Sequence, residues 1–256
     1  MIKAIFFDID GTLLSFKTHQ VQPGTIEAFD LLHRNGIKTF ISSGRPLVLI
    51  PPFPLTFDGY ITVNGGFCFT GDTVVHRLPL DADDSRCWCE YVERHAMCTM
   101  CFTEREMFIN RTDPVAEQLQ QQLGFQMPPV RPLAEAAGKD VFQYIAIQPV
   151  ERDAEVLAVL SHSRMPRWHP LFSDLIPDGS SKAIGIEKML SHFGLTKDEA
   201  MAFGDGANDI EMLEYVGCGV AMGNAADIVK QHADYVTDDA DHEGILHALQ
   251  ELKIIT

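Results

Sequence analysis

Two carboxylates, separated by one residue, stand close to the N-terminus of the chain. Asp8 and Asp10 follow the apolar run Ile5-Phe6-Phe7, and Gly11-Thr12 comes directly after them. A continuous apolar run predicts a strand that is buried on both faces of a parallel sheet. Acids at the end of such a strand are costly unless a cation binds them, although Asp and Gly also form ordinary solvated turns. The pair therefore indicates a cation-dependent site.

A second acidic stretch, Gly204-Asp205-Gly206-Ala207-Asn208-Asp209, follows the short apolar run Ala200–Phe203. Chemistry in open α/β sheets gathers just beyond the carboxyl ends of the strands. Asp205 alone would be explained by a helix-capping turn. The full order of Gly, Asp, Asn and Asp is more specific than such a turn.

Two further stretches supply groups that could bind a phosphate. The predicted strand Ile37–Ile41 runs into Ser42-Ser43-Gly44-Arg45, where small hydroxyls and exposed N–H groups suit phosphate oxygens. Lys182 lies in the first turn of a predicted helix that Ser180 or Ser181 caps and that ends at Gly194. The helix dipole disfavours a cation there by a few tenths of a kcal/mol, roughly, which indicates a bound anion. Most Ser-Gly turns bind nothing, however, and most single lysines are simply solvent-exposed.

In their order along the chain, the four stretches resemble the four motifs of the haloacid dehalogenase-like (HAD) phosphohydrolase superfamily. The first is Asp8-Ile9-Asp10-Gly11-Thr12, and the last matches Gly-Asp-x-x-Asn-Asp. Ser-Gly-Arg, Asn64-Gly65 and Gly-x-x-Lys, together with Gly-Asp-Gly-x-Asn-Asp, are similar to the Cof-like sugar phosphatases of that superfamily. The resemblance covers the two ends of the chain, and it covers the middle by position only.

The resemblance implies a role for each motif residue. Asp8 would be the nucleophile that forms an aspartyl-phosphate, and Asp10 would protonate the leaving group and later activate water. A carboxylate can attack phosphorus only if the charges are screened, and Mg²⁺ suits an all-oxygen site. Substrate-binding positions would be Ser43 (with Ser42 less favoured), Gly44, Lys182, Asn208 and Asn224. Metal-binding positions would be Asp8, Asp10 through its carbonyl, Asp205, and Asp209, which would bind through water or brace Lys182.

The elements that must position these residues form a predicted α/β fold with a Rossmann-like parallel-sheet core. The helical pattern from Pro23-Gly24 to Asn35-Gly36 connects the first two strands as a βαβ unit, so these strands should be parallel. Residues 1–80 and 179–256 form the predicted catalytic core, and residues 81–178 form an inserted α+β cap. In Cof-like proteins such a cap closes over the substrate and selects it.

The inserted block alternates predicted helices and strands and carries no recognisable catalytic signature. The predicted helices are Asp81–His95, Val115–Leu123 and Glu151–His162, and the predicted strands are Met97–Phe102, Met107–Asn110, Val141–Gln148 and Arg167–Phe172. Cys87-x-Cys89 and Cys98-x-x-Cys101 invite a zinc interpretation. Since Cys87 and Cys89 would point apart on a helix, reduced thiols are favoured.

Charge and composition restrict the partners. Lys and Arg number 20 and Asp and Glu number 36, so the net charge is 20 − 36 = −16 over 256 residues. So acidic a chain argues against a nucleic-acid backbone or an anionic membrane as partner. Any phosphate site must be locally positive. No signal peptide and no apolar run of about 18–20 residues is evident, which leads us to expect a cytoplasmic protein.

The expected function is hydrolysis of a phosphomonoester, with Mg²⁺ and an aspartyl-phosphate intermediate. The expected substrate is a small phosphorylated metabolite, with a sugar phosphate favoured over a phosphorylated cofactor, and the expected state is a monomer or a weak homo-oligomer. A phosphomutase or phosphotransferase would share the first half-reaction. A phospho-ligand-binding module without turnover is the other alternative, which the four intact residues Asp8, Asp10, Lys182 and Asp205 argue against.

Overall fold

The computed structural model describes residues 1–167 and 169–256. Its strands are β1 (Ala4–Phe7), β2 (Lys38–Ser42), β3 (Gly59–Thr62), β4 (Phe67–Thr70), β5 (Thr73–Arg77), β6 (Cys98–Thr103), β7 (Met107–Ile109), β8 (Val141–Ile147), β9 (Ser163–Arg164), β10 (Phe172–Pro177), β11 (Ala200–Gly204), β12 (Cys218–Ala221) and β13 (Tyr235–Val236). Its helices are α1 (Pro23–Arg34), α2 (Ala82–Arg94), α3 (Pro114–Leu123), α4 (Asp153–Leu157), α5 (Lys182–Phe193), α6 (Ile210–Tyr215), α7 (Asp227–Lys230) and α8 (Gly244–Glu251).

The chain divides into two compact units. The core unit comprises Met1–Arg45, Ile50–Arg77 and Ser181–Thr256. The inserted unit comprises Leu78–Ser180 together with the short segment Pro46–Leu49.

The core unit is built on a sheet with the strand order β13-β12-β11-β1-β2-β3-β4-β5. The ladders from β13 to β3 are parallel, and β3, β4 and β5 pair antiparallel. Every residue of β1 is fully buried, and apolar clusters cover both faces of the sheet. The largely parallel α/β sheet and the parallel pairing of β1 with β2 confirm the fold predicted from the sequence.

Strand β1 lies between β2 and β11, at the point where the connections turn toward opposite halves of the sheet. The first connection runs through α1 to β2, whereas β11 enters on the other side after α5. Ligands of open α/β sheets bind at such switch points, outside the carboxyl ends of the strands. The ends of β1, β2 and β11 therefore meet at one edge of the sheet.

The inserted unit holds an antiparallel sheet with the order β7-β6-β8-β10-β9. The helix predicted over Glu151–His162 is wrong at its C-terminal end, since α4 ends at Leu157. The N–H groups of Ser161 and His162 donate to the carboxylate of Asp84 instead of to helical carbonyls. This distant partner ends the helix early.

The strand predicted over Arg167–Phe172 lies partly outside the described residues, because position 168 is not among them. The described strand β10 begins at Phe172, where the prediction ended, and it pairs with β8. Pro166 and Pro170 lack the N–H group that a sheet ladder requires, which disfavours a strand at those positions. Among the described residues, no helix is both long enough and apolar enough to cross a membrane. The six cysteines carry free thiols.

Candidate active site

The carboxyl ends of three strands bring the sequence-predicted residues together. Asp8 follows β1, Ser43 follows β2, and Asp205 follows β11. Lys182 begins α5, which Ser181 caps by accepting a hydrogen bond from the Ile184 N–H, and which ends at the left-handed Gly194. Because these helix limits depend on local capping groups, the sequence predicted them correctly.

Lys182 is buried between two carboxylates. Its Nζ donates to Oδ1 of Asp8 and to Oδ1 of Asp209, at 2.5 Å in each case. Lys182 is 1% exposed and Asp209 is fully buried. Oδ2 of Asp209 accepts from the N–H groups of Asp205 and Gly206, so both of its oxygens are engaged. Asp209 therefore braces Lys182 and the Asp205 turn, which is one of the two roles that the sequence left open.

The pKa shifts of Asp8, Asp205 and Lys182 indicate too little positive charge around the carboxylates. Burial raises the pKa of Asp8 well above its ordinary value, and Lys182 opposes this only in part. Burial, with the charge of Asp209, also raises the pKa of Asp205 to about 7. Burial acts to lower the pKa of Lys182, but the charges of Asp209 and Asp8 outweigh it and raise that pKa. One lysine does not compensate three neighbouring carboxylates, so the site favours a further cation.

The oxygen atoms of Asp8, Asp205 and Asp209 fit a divalent cation. One carboxylate oxygen from each lies within 4.8 Å of the others. A purely carboxylate donor set suits a hard cation of the Mg²⁺ type. Asp209 is fully buried and accepts from Lys182 and from two backbone N–H groups, so Asp8 and Asp205 are the residues that would hold the ion directly.

The carboxylate of Asp10 is not one of these three and is paired with Arg45. Nε of Arg45 donates to Oδ2 of Asp10 at 2.8 Å, and Nη2 donates to Oδ1 at 2.7 Å. Both side chains are partly exposed. The sequence singled out Arg45 only as part of the Ser-Gly-Arg pattern and missed this contact. No local spacing rule could have found it, because the two residues lie on different strand ends and 35 positions apart.

The turn after β2 presents hydrogen-bond donors. Oγ of Ser43 accepts from the Arg45 N–H at 3.1 Å, which leaves the hydroxyl hydrogen of Ser43 for another acceptor. The N–H of Gly44 has no acceptor within residues 1–167 and 169–256. Ser42 is fully buried, and its Oγ likewise finds no hydrogen-bond partner in the described part of the chain.

Two predicted substrate-binding amides have different surroundings. Asn208 is exposed, and its Nδ2 donates to Oδ1 of Asn64. Asn224, which the sequence predicts to bind substrate, contacts both the first and the fourth motif. Its Nδ2 donates to the carbonyl of Gly11 and to Oδ2 of Asp205, and its Oδ1 accepts from the Ala240 N–H. These contacts make Asn224 a support for Asp205.

The sequence also missed Thr12, whose Oγ1 donates to Oδ1 of Asp205 at 3.1 Å. Thr12 belongs to the first motif, and the contact joins that motif to the fourth. Both oxygens of Asp205 are thus oriented by neutral donors. Neutral donors orient a carboxylate without cancelling its charge, so Asp205 keeps its attraction for a cation.

The family model described as haloacid dehalogenase-like hydrolase matches residues 5–249. The chain belongs to this family. The HAD and Cof-like assignment made from the motifs is thereby confirmed, and so is the prediction of an enzyme of the phosphatase class. HAD phosphatases act on small phosphorylated substrates.

Solved structures and a curated relative agree with this assignment. The HAD subclass IIB sugar phosphatase BT4131 is 35% identical, with a TM-score of 0.87 over 99% of this chain and 100% of that chain. BT1666 of Bacteroides thetaiotaomicron, described among the HAD phosphatases, is 36% identical, with a TM-score of 0.92 over 100% of this chain and 96% of that chain. The 5-amino-6-(5-phospho-D-ribitylamino)uracil phosphatase YitU of Bacillus subtilis (strain 168) is 36% identical over 129 residues, which are 46% of this chain and 47% of YitU.

Proposed function

We propose that this HAD phosphatase hydrolyses a small phosphomonoester through an aspartyl-phosphate on Asp8, with Mg²⁺ as its metal. The observation that carries the proposal is the buried carboxylate of Asp8 at the end of β1, with Lys182 on Oδ1 and Asp205 close by. Lys182 neutralises one side of the nucleophile while Oδ2 remains for the phosphorus. A bound Mg²⁺ would supply the remaining charge compensation and would polarise the phosphoryl group.

In the first half-reaction, an oxygen of Asp8 forms a bond to phosphorus while the bond from phosphorus to the ester oxygen breaks. The leaving oxygen takes a proton from Asp10. The hydroxyl of Ser43, the N–H of Gly44 and the amide of Asn208 hold the equatorial oxygens, together with Lys182, where the transition-state charge is spread. In the second half-reaction, Asp10 takes a proton from the water that attacks phosphorus. This step releases inorganic phosphate and restores Asp8.

Arg45 gives Asp10 a defined starting position in this scheme. Two hydrogen bonds from the guanidinium suit the ionised carboxylate, which is the form that accepts a proton from water. The oxygen of Asp10 that donates the proton in the first half-reaction must face the leaving oxygen of the ester rather than Arg45. We therefore propose that the bond between Arg45 and Asp10 loosens when a phosphate ester enters.

The proposed substrate is a phosphate ester of a sugar or a sugar alcohol. Two named relatives support this class, since BT4131 is a sugar phosphatase and the named substrate of YitU carries a phosphorylated ribityl group. A panel of sugar phosphates, phosphorylated ribityl compounds, flavin mononucleotide and pyridoxal phosphate would test the class. A preference for pyridoxal phosphate, whose ester carries neither a sugar nor a ribityl chain, would contradict the proposed class of substrate.

Release of inorganic phosphate in water alone tests hydrolysis against the phosphomutase alternative. A hydrolase releases phosphate without any other acceptor, and the Asp8→Asn variant should release none. If wild-type protein formed a stable phosphoenzyme and released phosphate only when a sugar hydroxyl was supplied, the transferase alternative would replace hydrolysis.

We also propose that residues 81–178 act as the cap that selects the substrate. The block interrupts the motif-bearing sequence and carries no catalytic signature of its own. Binding energy from the leaving group would be used to close the cap, so a small ester should depend on it less. Replacing the block with a short linker should lower kcat/KM steeply for the preferred substrate and much less for acetyl phosphate. Equal losses, in a shortened chain that still folds and binds Mg²⁺, would contradict the proposal.

A further inference from the structure

The turn Val63–Gly65 follows β3 and carries an Asn-Gly pair that the proposed mechanism does not use. Three consecutive residues have positive φ angles: 47° at Val63, 51° at Asn64 and 90° at Gly65. A left-handed conformation is unfavourable for a β-branched residue such as Val63. Backbone strain of this kind persists only where the surrounding structure requires it, and it clusters at functional sites. The contacts of the turn show what requires it here.

The backbone of the turn is hydrogen-bonded to one motif stretch and packs closely against another. The N–H of Val63 donates to the Arg45 carbonyl at 3.1 Å, and the N–H of Asn64 donates to the Ser43 carbonyl at 3.0 Å. Gly65 lies against the start of α5, where a Cβ added to it would be 2.0 Å from the carbonyl oxygen of Ser181. The turn is thus held between the Ser43-Gly44-Arg45 turn and the helix that begins with Lys182.

The side chain of Asn64 reaches a third motif. Its Oδ1 accepts a hydrogen bond from Nδ2 of Asn208 at 3.0 Å. Asn64 is 8% exposed, whereas Asn208 is exposed and would otherwise sample several rotamers. Both amides face Gly44, since a Cβ there would lie 3.1 Å from Oδ1 of Asn64 and 3.5 Å from Nδ2 of Asn208.

We propose that Asn64 is a positioning residue that fixes the carboxamide of Asn208 beside Gly44 before a phosphate group arrives. The inference rests on the proposed function, in which Asn208 and Gly44 bind phosphoryl oxygens. A donor that is already ordered loses less conformational freedom on binding than a mobile one. The strained turn directs the buried side chain of Asn64 toward the exposed side chain of Asn208.

A double-mutant cycle tests this role with the variants Asn64→Gly, Asn208→Ala and their combination. Glycine removes the amide of Asn64 but accepts the left-handed backbone, so the turn itself is kept. The readouts are the Kd of inorganic phosphate in the presence of Mg²⁺, kcat/KM for the preferred ester, and the Tm. Each single variant should weaken phosphate binding by roughly three- to tenfold. The double variant should be no weaker than Asn208→Ala.

Glu243→Gly provides a matched control. Glu243 is also left-handed, with φ of 57°, and its Oε1 accepts from the Gly24 N–H outside the motif residues. This variant should leave the Kd of phosphate unchanged even if it lowers the Tm. Multiplicative losses in the Asn64 and Asn208 double variant, or no loss in Asn64→Gly, would overturn the positioning role. Multiplicative losses would mean that Asn64 acts independently of Asn208.

The proposed function can fail separately from this inference. If the wild-type protein released no phosphate from any ester while the double variant still bound phosphate no more weakly than Asn208→Ala, hydrolysis would be refuted and the positioning role would stand. If hydrolysis occurred and was lost in Asp8→Asn while the losses in phosphate affinity of the Asn64 and Asn208 variants were multiplicative, the positioning role alone would be refuted.

Discussion

Within residues 1–167 and 169–256, two groups of potential metal-ligating side chains have the residue types and the spacing of a metal site, one in each unit. In the core unit the group is Asp8, Asp205 and Asp209, and in the inserted unit it is Asp81, Asp84 and His162. Each group includes at least one buried carboxylate. Their hydrogen-bond partners differ, and this difference separates a carboxylate whose charge the fold compensates from carboxylates whose charge it leaves uncompensated.

Asp84 is supplied with donors by its own unit. Its oxygens accept from the N–H groups of Ser161 and His162 and from Oγ of Ser163, at 3.0, 2.8 and 2.6 Å. Burial acts to raise the pKa of Asp84, but these hydrogen bonds outweigh it and lower that pKa below its ordinary value. The negative charge of Asp84 is thus stabilised without any ion.

Asp8 and Asp205 lack such compensation, and burial raises the pKa of each. Lys182 is shared between Asp8 and Asp209, and the donors to Asp205 are neutral. A buried carboxylate is costly when neighbouring groups do not balance its negative charge, unless a bound cation does so. The comparison therefore predicts that substitutions at Asp8 and Asp205 chiefly lower turnover, whereas substitutions at Asp84 chiefly lower stability.

The largest effect is expected from Asp8→Asn, because an amide of the same shape cannot attack phosphorus. Turnover should fall by at least about 10³-fold, measured as phosphate release, while the circular dichroism spectrum stays that of the wild type. Asp84→Asn is the matched control and should keep most of the rate. More than trace activity in Asp8→Asn would show that the covalent mechanism is wrong.

The next effect concerns the metal. Excess chelator should abolish activity and Mg²⁺ should restore it, and Asp205→Ala should weaken Mg²⁺ binding by roughly tenfold or more, measured by calorimetry. Asp84→Ala removes a carboxylate from the other group and should leave Mg²⁺ affinity unchanged. Full activity in excess chelator would show that the carboxylates of the core unit need a metal no more than Asp84 does.

A selective effect is expected from Asp10→Asn, because only a poor leaving group needs a proton. Single-turnover phosphorylation of Asp8 should slow by about 10²-fold for a sugar phosphate and much less for nitrophenyl phosphate, whose phenolate leaves without protonation. Rapid-quench measurement of the phosphoenzyme isolates this step from the later attack of water. Equal slowing of both substrates would count against Asp10 as the general acid.

The smallest effect is expected in the stability of the inserted unit. Asp84→Asn should lower the free energy of unfolding by about 1–3 kcal/mol at neutral pH, since an amide cannot accept from all three donors. Because folding lowers the pKa of Asp84, its stabilisation is present above the ordinary value near pH 4 and is lost as the pH falls through the folded value. Denaturant titrations should show the difference from wild type shrinking below about pH 4. A constant difference would mean that the charge of Asp84 does not matter.

Short-range features of the sequence determined most of the fold and the identity of the motif residues. The apolar run of β1 ending at Asp8 predicted a buried central strand, and Ser181 and Gly194 predicted both ends of α5. These signals are local, because a strand needs only its apolar residues and a helix end needs only its cap. The order of the four motifs then identified the family.

Tertiary structure decided how the polar side chains share their partners. Arg45 with Asp10, Asn224 with Asp205, and Asn64 with Asn208 are joined across 35, 19 and 144 positions respectively. The early end of α4 likewise depends on Asp84, which lies 77 positions before Ser161. A hydrogen bond depends on distance and angle in space, and no local periodicity encodes those for residues on separate strand ends. The sequence by itself therefore predicted which residues gather at the strand ends. Only the folded chain decided that Asp209 pairs with Lys182, that Asn224 donates to Asp205, and that hydrogen bonds within the inserted unit satisfy Asp84.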